Sequence, residues 1–214
     1  MKHTLHILFI SLIALLIGCS SQETKSDSDQ LTVYTTIYPI QYISEFIAGD
    51  HIQIKSVYPP GVDAHTYEPT SKEMTEIAKA DAIIYLGANM ESFIDTIRSA
   101  LASQDILFVE IGEHQELFLT LEDEDHDHHH DEHDHGDVDP HIWLDPLRMI
   151  TMGEIILETL INLDPAHEET FRAQFEQFEK NMITLDETFV ETLKQKTQKD
   201  ILVAHAAYGY WENR

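Results

Sequence analysis

The sequence predicts an α/β protein: a βα lobe with a parallel sheet, a long linking helix and the start of a second βα lobe. Three observations carry this. Short β-rich runs alternate with stretches of helical spacing from Leu31 onward, and each run closes in a polar or Gly/Pro turn. The runs are nearly all apolar, as expected of strands whose two faces are both covered by helices. After Asp164 one apolar stripe then persists for about six turns, with no Gly or Pro between Pro165 and Gly209.

Taken in order, the strands are read at Leu31 to Thr35, Ile52 to Tyr58, Ala82 to Leu86 and Leu107 to Glu110. Helical spacing falls between them at Ile40 to Ala48, Ser71 to Lys79 and Ser92 to Leu101. Thr70 with Glu73 three residues later, followed by Met74, Ile77 and Ala78, has the form of a capping box. Asp164-Pro165 opens the next helix, with Asp as N-cap and Pro at the first helical position. Phe171, Phe175, Phe178, Met182, Leu185, Phe189 and Leu193 recur at spacings of 4, 3, 4, 3, 4 and 4. A helix from Pro165 to about Gln198 would run roughly 50 Å, longer than one small lobe is thick. It reads as a stiff spine between lobes, with a coiled coil as the competing reading. Ile201 to Ala204 is expected to be a further buried strand, and one strand cannot make a lobe. The 214 residues therefore read as a fragment or a truncated product.

Composition limits the function. Hydrophobic residues are 43% and charged residues 24%, a globular balance. Thirteen Lys and Arg against 39 Asp and Glu give a net charge of -26, which repels phosphate backbones and argues against a nucleic-acid partner. One cysteine cannot build a thiolate site, so any metal must be held by carboxylates and the 14 His.

The N-terminus is an address. Met1-Lys2-His3 is a short positive start, and Ile7 to Ile17 is apolar apart from Ser11, too short for the roughly 20 residues of a permanent span. The run ends in Leu16-Ile17-Gly18-Cys19, which looks like a bacterial lipobox with Cys19 as the lipidated residue. Residues 1–18 are thus expected to be a signal peptide and 19–30 a flexible tether. The mature chain should work outside the cytoplasm, lipid-anchored to the outer face of the membrane of what reads as a Gram-positive cell. Residues 31–164 then form the N-terminal lobe, 165–198 the linker helix and 199–214 the start of the second lobe.

Within the first lobe, Glu122 to Asp139 holds ten acids and six His (His126, His128, His129, His130, His133, His135) and no Lys or Arg. Nothing in it can form a core, so it is expected to be a loop. It is either a loose secondary metal store or a solvated insertion whose length is cheaply tolerated. His65, His141 and His205 stand apart from it. His65 follows Pro59-Pro60-Gly61-Val62-Asp63-Ala64, His141 lies in Asp139-Pro140-His141-Ile142-Trp143-Leu144-Asp145-Pro146, and His205 follows the expected strand. Ligands of open α/β folds collect beyond the carboxyl ends of strands, so the three could face one cleft. Three imidazoles would leave one tetrahedral position of Zn²⁺ for a carboxylate or water.

These pieces, together with Val33-Tyr34-Thr35-Thr36-Ile37-Tyr38-Pro39, the continuation Thr66-Tyr67-Glu68-Pro69 and His205-Ala206-Ala207-Tyr208-Gly209-Tyr210, resemble the metal-binding lipoprotein receptors of bacterial ABC importers for zinc and manganese. The resemblance covers nearly the whole mature chain. It implies that His65, His141 and His205 are ligands, that two βα lobes are joined by a rigid helix, and that the metal sits between the lobes. It implies Zn²⁺ as transported ligand, an ABC permease as partner and a monomer. Similar manganese receptors carry a carboxylate at the third position, where this chain has His205, and carboxylates suit harder ions. The His- and Asp-rich insertion is also a habit of the zinc branch. Two departures stand out: the family's fourth contact, an Asp or Glu of the second lobe, would lie beyond Arg214, and Ala64 stands where some relatives carry Glu. Competing functions are a manganese-type receptor, a zinc-dependent hydrolase, and a surface adhesin or metal buffer acting through the acidic loop. The hydrolase lacks a His-Glu-x-x-His helix and a Gly-x-Ser-x-Gly elbow, so the chain is not expected to be an enzyme.

Overall fold

A computed structural model describes residues 30–88, 90–118, 138–198 and 200–212. The expected signal peptide, Cys19, nearly all of the expected tether and the six loop His lie outside the described residues. Four short strands form a parallel sheet in the order β2-β1-β3-β4: β1 Thr32–Thr35, β2 Gln53–Ser56, β3 Ala82–Tyr85 and β4 Leu107–Glu110. Helices α1 Tyr38–Ala48, α2 Ser71–Ile77 and α3 Ile94–Ala100 connect them. Val33 is level with Ile54 of β2 and Ala82 of β3, and Ile83 with Phe108 of β4. Every strand of the sheet falls where the alternation of apolar runs and turns predicts it.

Side-chain alternation along the strands builds two cores. Val33, Ala82 and Ile84 face one way, onto Ile40, Ile43 and Ile47 of α1, all fully buried. Tyr34, Ile83 and Tyr85 face the other way, onto Ile77 of α2 and Ile97 of α3. Each of the Val and Ile side chains removed from water contributes about 1.5–3 kcal/mol. The central strand β3 is buried throughout, whereas β2 and β4 begin with an exposed residue, as edge strands do. The expected capping box at α2 is present: Thr70 Oγ1 accepts from the Glu73 N–H at 3.3 Å and Thr70 N–H donates to Glu73 Oε2 at 2.7 Å.

Two long helices complete the first core. Helix α4, Pro146–Leu163, is absent from the sequence reading, although Asp145 caps it through Leu147 N–H at 2.9 Å and Pro146 stands in its first turn. Met149, Met152, Ile156, Leu160 and Leu163 mark its inner face, and Met152, Ile156 and Leu160 are fully buried. Helix α5 spans Glu168–Lys194, about 40 Å at 1.5 Å per residue, rather than Pro165 to Gln198. Its start differs because Asp164 does not cap the backbone: the carboxylate takes His167 Nδ1 at 2.6 Å, and Pro165–His167 makes a 3₁₀ turn. The apolar stripe is also split. Phe171, Phe178 and Met182 are buried, while Leu185 and Leu193 are exposed.

The strand expected at Ile201 to Ala204 does not form. Residues 201–203 have no regular secondary structure, and Leu202 is fully exposed. A strand is held by ladder hydrogen bonds to a neighbour, and no described strand pairs with this segment. A last short helix, α6 Gly209–Glu212, follows. Among the described residues no helix is long and apolar enough to cross a membrane.

The chain direction changes side between β1 and β3, the switch point at which α/β sheets open a crevice. Glu91 closes the sheet there. Its carboxyl, almost wholly buried, accepts from Thr36 Oγ1 at 2.6 Å and from the Leu86 and Gly87 N–H groups, each at 2.9 Å. Burial pushes this carboxyl up, against the pull of those three donors.

Candidate metal centre

Three separate segments bring His65, His141 and His205 together. One nitrogen from each ring lies within 4.8 Å of the other two. Ring centroids are 4.8 Å apart for His141 and His205, 5.6 Å for His65 and His205, and 6.0 Å for His65 and His141. Four-coordinate zinc with Zn–N bonds of about 2.0–2.1 Å spaces its nitrogens roughly 3.4 Å apart. The Nε2 atoms of His141 and His205 are 2.9 Å apart, so the observed spacings bracket that value.

His65 is set by the loop after β2. Gly61 turns the chain with φ +83°, a conformation that favours glycine. Asp63 Oδ1 then accepts the His65 N–H at 2.9 Å, and Tyr58 Oη donates to the Ala64 carbonyl at 3.0 Å. Tyr58 packs edge-on against Tyr67 and Phe93, which pins the loop to the second core. The Tyr58 hydroxyl is pushed up by burial, so it is a donor throughout the neutral range.

His141 is the most enclosed of the three, 3% exposed. It enters a 3₁₀ turn, Ile142–Leu144, whose Ile142 is fully buried, and the turn runs directly into α4. Its Nδ1 lies 2.6 Å from Asp139 Oδ1, which also accepts the His141 backbone N–H at 3.0 Å, and Trp143 packs against its ring. His205 is exposed, on the irregular segment before α6. That segment docks through its end: Tyr210 is buried beneath the Arg148 guanidinium and donates to the Asp139 carbonyl, and Trp211 Nε1 donates to the Leu144 carbonyl at 3.0 Å. Asp139 and Tyr210 have no individual role in the sequence reading, although both stand in the motifs quoted for the ligands. Among the described residues no Asp or Glu joins the three His.

Three imidazoles gathered beside a parallel sheet define a metal-binding α/β lobe. A family model described as ZnuA, zinc-uptake complex component A, periplasmic, matches residues 33–214, and the chain belongs to that family. The zinc-binding lipoprotein AdcA of Streptococcus pneumoniae (strain ATCC BAA-255 / R6) is 33% identical over 214 residues, 95% of this chain and 41% of that protein. The high-affinity zinc uptake system protein ZnuA of Bacillus subtilis (strain 168) is 29% identical over 92% of this chain and 63% of its own length. The Zn(II)-bound ZnuA-like domain of S. pneumoniae AdcA matches with a TM-score of 0.72 at 28% identity, covering 86% of this chain and 63% of that one. The chain thus spans less than two thirds of the length of these relatives.

Proposed function

We propose that this chain captures Zn²⁺ outside the cytoplasm through His65, His141 and His205 and hands it to the permease of an ABC importer. The observation that carries the reading is the convergence of three imidazole nitrogens, from segments 64 to 140 residues apart, within 4.8 Å. Imidazole suits zinc, whereas a manganese site would be expected to include carboxylate. The family and the zinc-binding relatives point the same way. Cys19 anchors the mature chain by lipid, residues 1–18 are its signal peptide, and the loop His hold further zinc loosely. The chain acts as a monomer and performs no chemistry on its cargo.

Ligating imidazoles must be neutral, so capture weakens in acid. The test is zinc titration against a competing chromophoric chelator. One tight site is expected in the unmodified chain, retained when residues 122–136 are excised and lost when His65, His141 and His205 are all replaced by Ala. Tight binding that survives the triple replacement, or disappears with the loop, overturns the assignment.

A further inference from the structure

We propose that Asp139 is the positioning residue that makes one site out of two separately built ligands, its carboxylate setting the tautomer of His141 and its carbonyl tethering the segment that carries His205. The proposal rests on the zinc-site reading above. A carboxylate only accepts hydrogen bonds, so the 2.6 Å contact between Asp139 Oδ1 and His141 Nδ1 makes Nδ1 the protonated nitrogen of a neutral ring. The lone pair is then on Nε2, the atom directed at His205 Nε2. The other tautomer would direct an N–H into the centre of the cluster and leave nothing there to hold a cation. The same Oδ1 accepts the His141 backbone N–H, which fixes the carboxylate relative to the ring it orients.

The second half concerns residues beyond His205. Tyr210 donates its hydroxyl to the Asp139 carbonyl from a buried position. Gly209 lies against the carboxylate itself: a Cβ there would come 3.2 Å from Asp139 Oδ2. Asp139 is therefore touched on one side by the second ligand and on the other by the chain four and five residues after the third. His205, which is exposed, is placed by these contacts rather than by a regular element of its own. Outer-shell partners of metal-binding His typically change affinity about 10–100-fold when removed.

The test compares the unmodified chain with D139A, D139N and Y210F. Histidine tautomers are read in the chelator-stripped proteins by long-range ¹H–¹⁵N correlation at about pH 8, where model imidazole is neutral, the His141 signal being assigned by its loss in H141Q. Zinc affinity and dissociation are measured by chelator competition. The unmodified chain should show His141 protonated at Nδ1. D139A should populate the Nε2–H tautomer and bind zinc about 10–100-fold more weakly. D139N, whose amide oxygen still accepts, should keep the tautomer and recover most of the affinity, and its thermal melt guards against a misfolded D139A. Y210F should leave the tautomer intact and speed zinc dissociation about fivefold, the worth of one hydrogen bond. An unmodified chain already protonated at Nε2, or a D139A chain still protonated at Nδ1, overturns the proposal whatever happens to affinity. If the unmodified chain binds no zinc, the functional reading fails and the tautomer result stands by itself.

Discussion

The two sides of the imidazole cluster are built by opposite means. His141 is enclosed, bonded to Asp139, and carried on a turn that is locked by the buried Ile142 and continuous with α4. His205 is exposed on a segment without regular structure and is held at a distance by Tyr210 and Trp211. A side chain fixed before the ion arrives loses little freedom on binding, whereas one on an exposed segment must be ordered at that moment. If zinc is held as proposed, release begins at His205: withdrawing it leaves the core undisturbed, while withdrawing His141 requires α4 to give way.

The largest effect is expected from replacing each proposed ligand in turn. Structural zinc sites bind with about 10–16 kcal/mol shared among four ligands, so losing one should cost roughly 100-fold in affinity or more. Chelator competition should show a larger loss for His141→Ala than for His205→Ala; equal losses would mean that His205 is as well fixed as His141. Next in size is the support of the buried side. Ile142→Ala should lower unfolding stability by about 2–5 kcal/mol in urea melts, because it empties a filled core position. A cost under 1 kcal/mol would show that the His141 turn is not held by the core.

Glu91→Gln tests the frame at the switch point of the sheet. The amide nitrogen must replace one oxygen and then faces a backbone N–H donor of Leu86 or Gly87, at a cost of about 1–3 kcal/mol. The same residue sets a pH dependence. Because burial raises its folded carboxyl, the folded state holds that proton more tightly than the unfolded chain does. Its contribution is complete below the unfolded carboxylate range near about 4.3 and is lost as pH rises through the raised folded value. Urea melts across that range should show this slope in the unmodified chain and not in Glu91→Gln. At the small end, Leu202→Ser, at an exposed position three residues before His205, should change stability by no more than about 0.5 kcal/mol. A larger loss would mean that the His205 segment is held by packing of its own.

Much of the lobe was legible in the residues. The four strands follow from apolar runs bounded by turns, and the cap of α2 from Thr70 and Glu73, because those signals are local. The three His were legible as a set only through their motifs, since spacing along the chain says nothing of distance in space. Helix α4 lies outside the sequence expectations although Asp145-Pro146 announces its start, because those two residues enter them only as part of the His141 motif. Two local signals did not decide the outcome: the Asp164 carboxylate bonds the His167 ring three residues on instead of capping, and Ile201 to Ala204 has strand composition but no partner among the described strands.

By itself the sequence determined the alternation of strands and helices, which depends on neighbours a few positions away, and the acidic charge and the residue types available for a metal, which depend on composition alone. Only the tertiary structure decided that His65, His141 and His205 meet, that the α5 stripe is buried at Phe171, Phe178 and Met182 but exposed at Leu185 and Leu193, and that Asp139 stands between His141 and the segment that follows His205. Those outcomes depend on which surfaces cover one another and on hydrogen bonds between residues as distant as Asp139 and Tyr210, and no local preference encodes them.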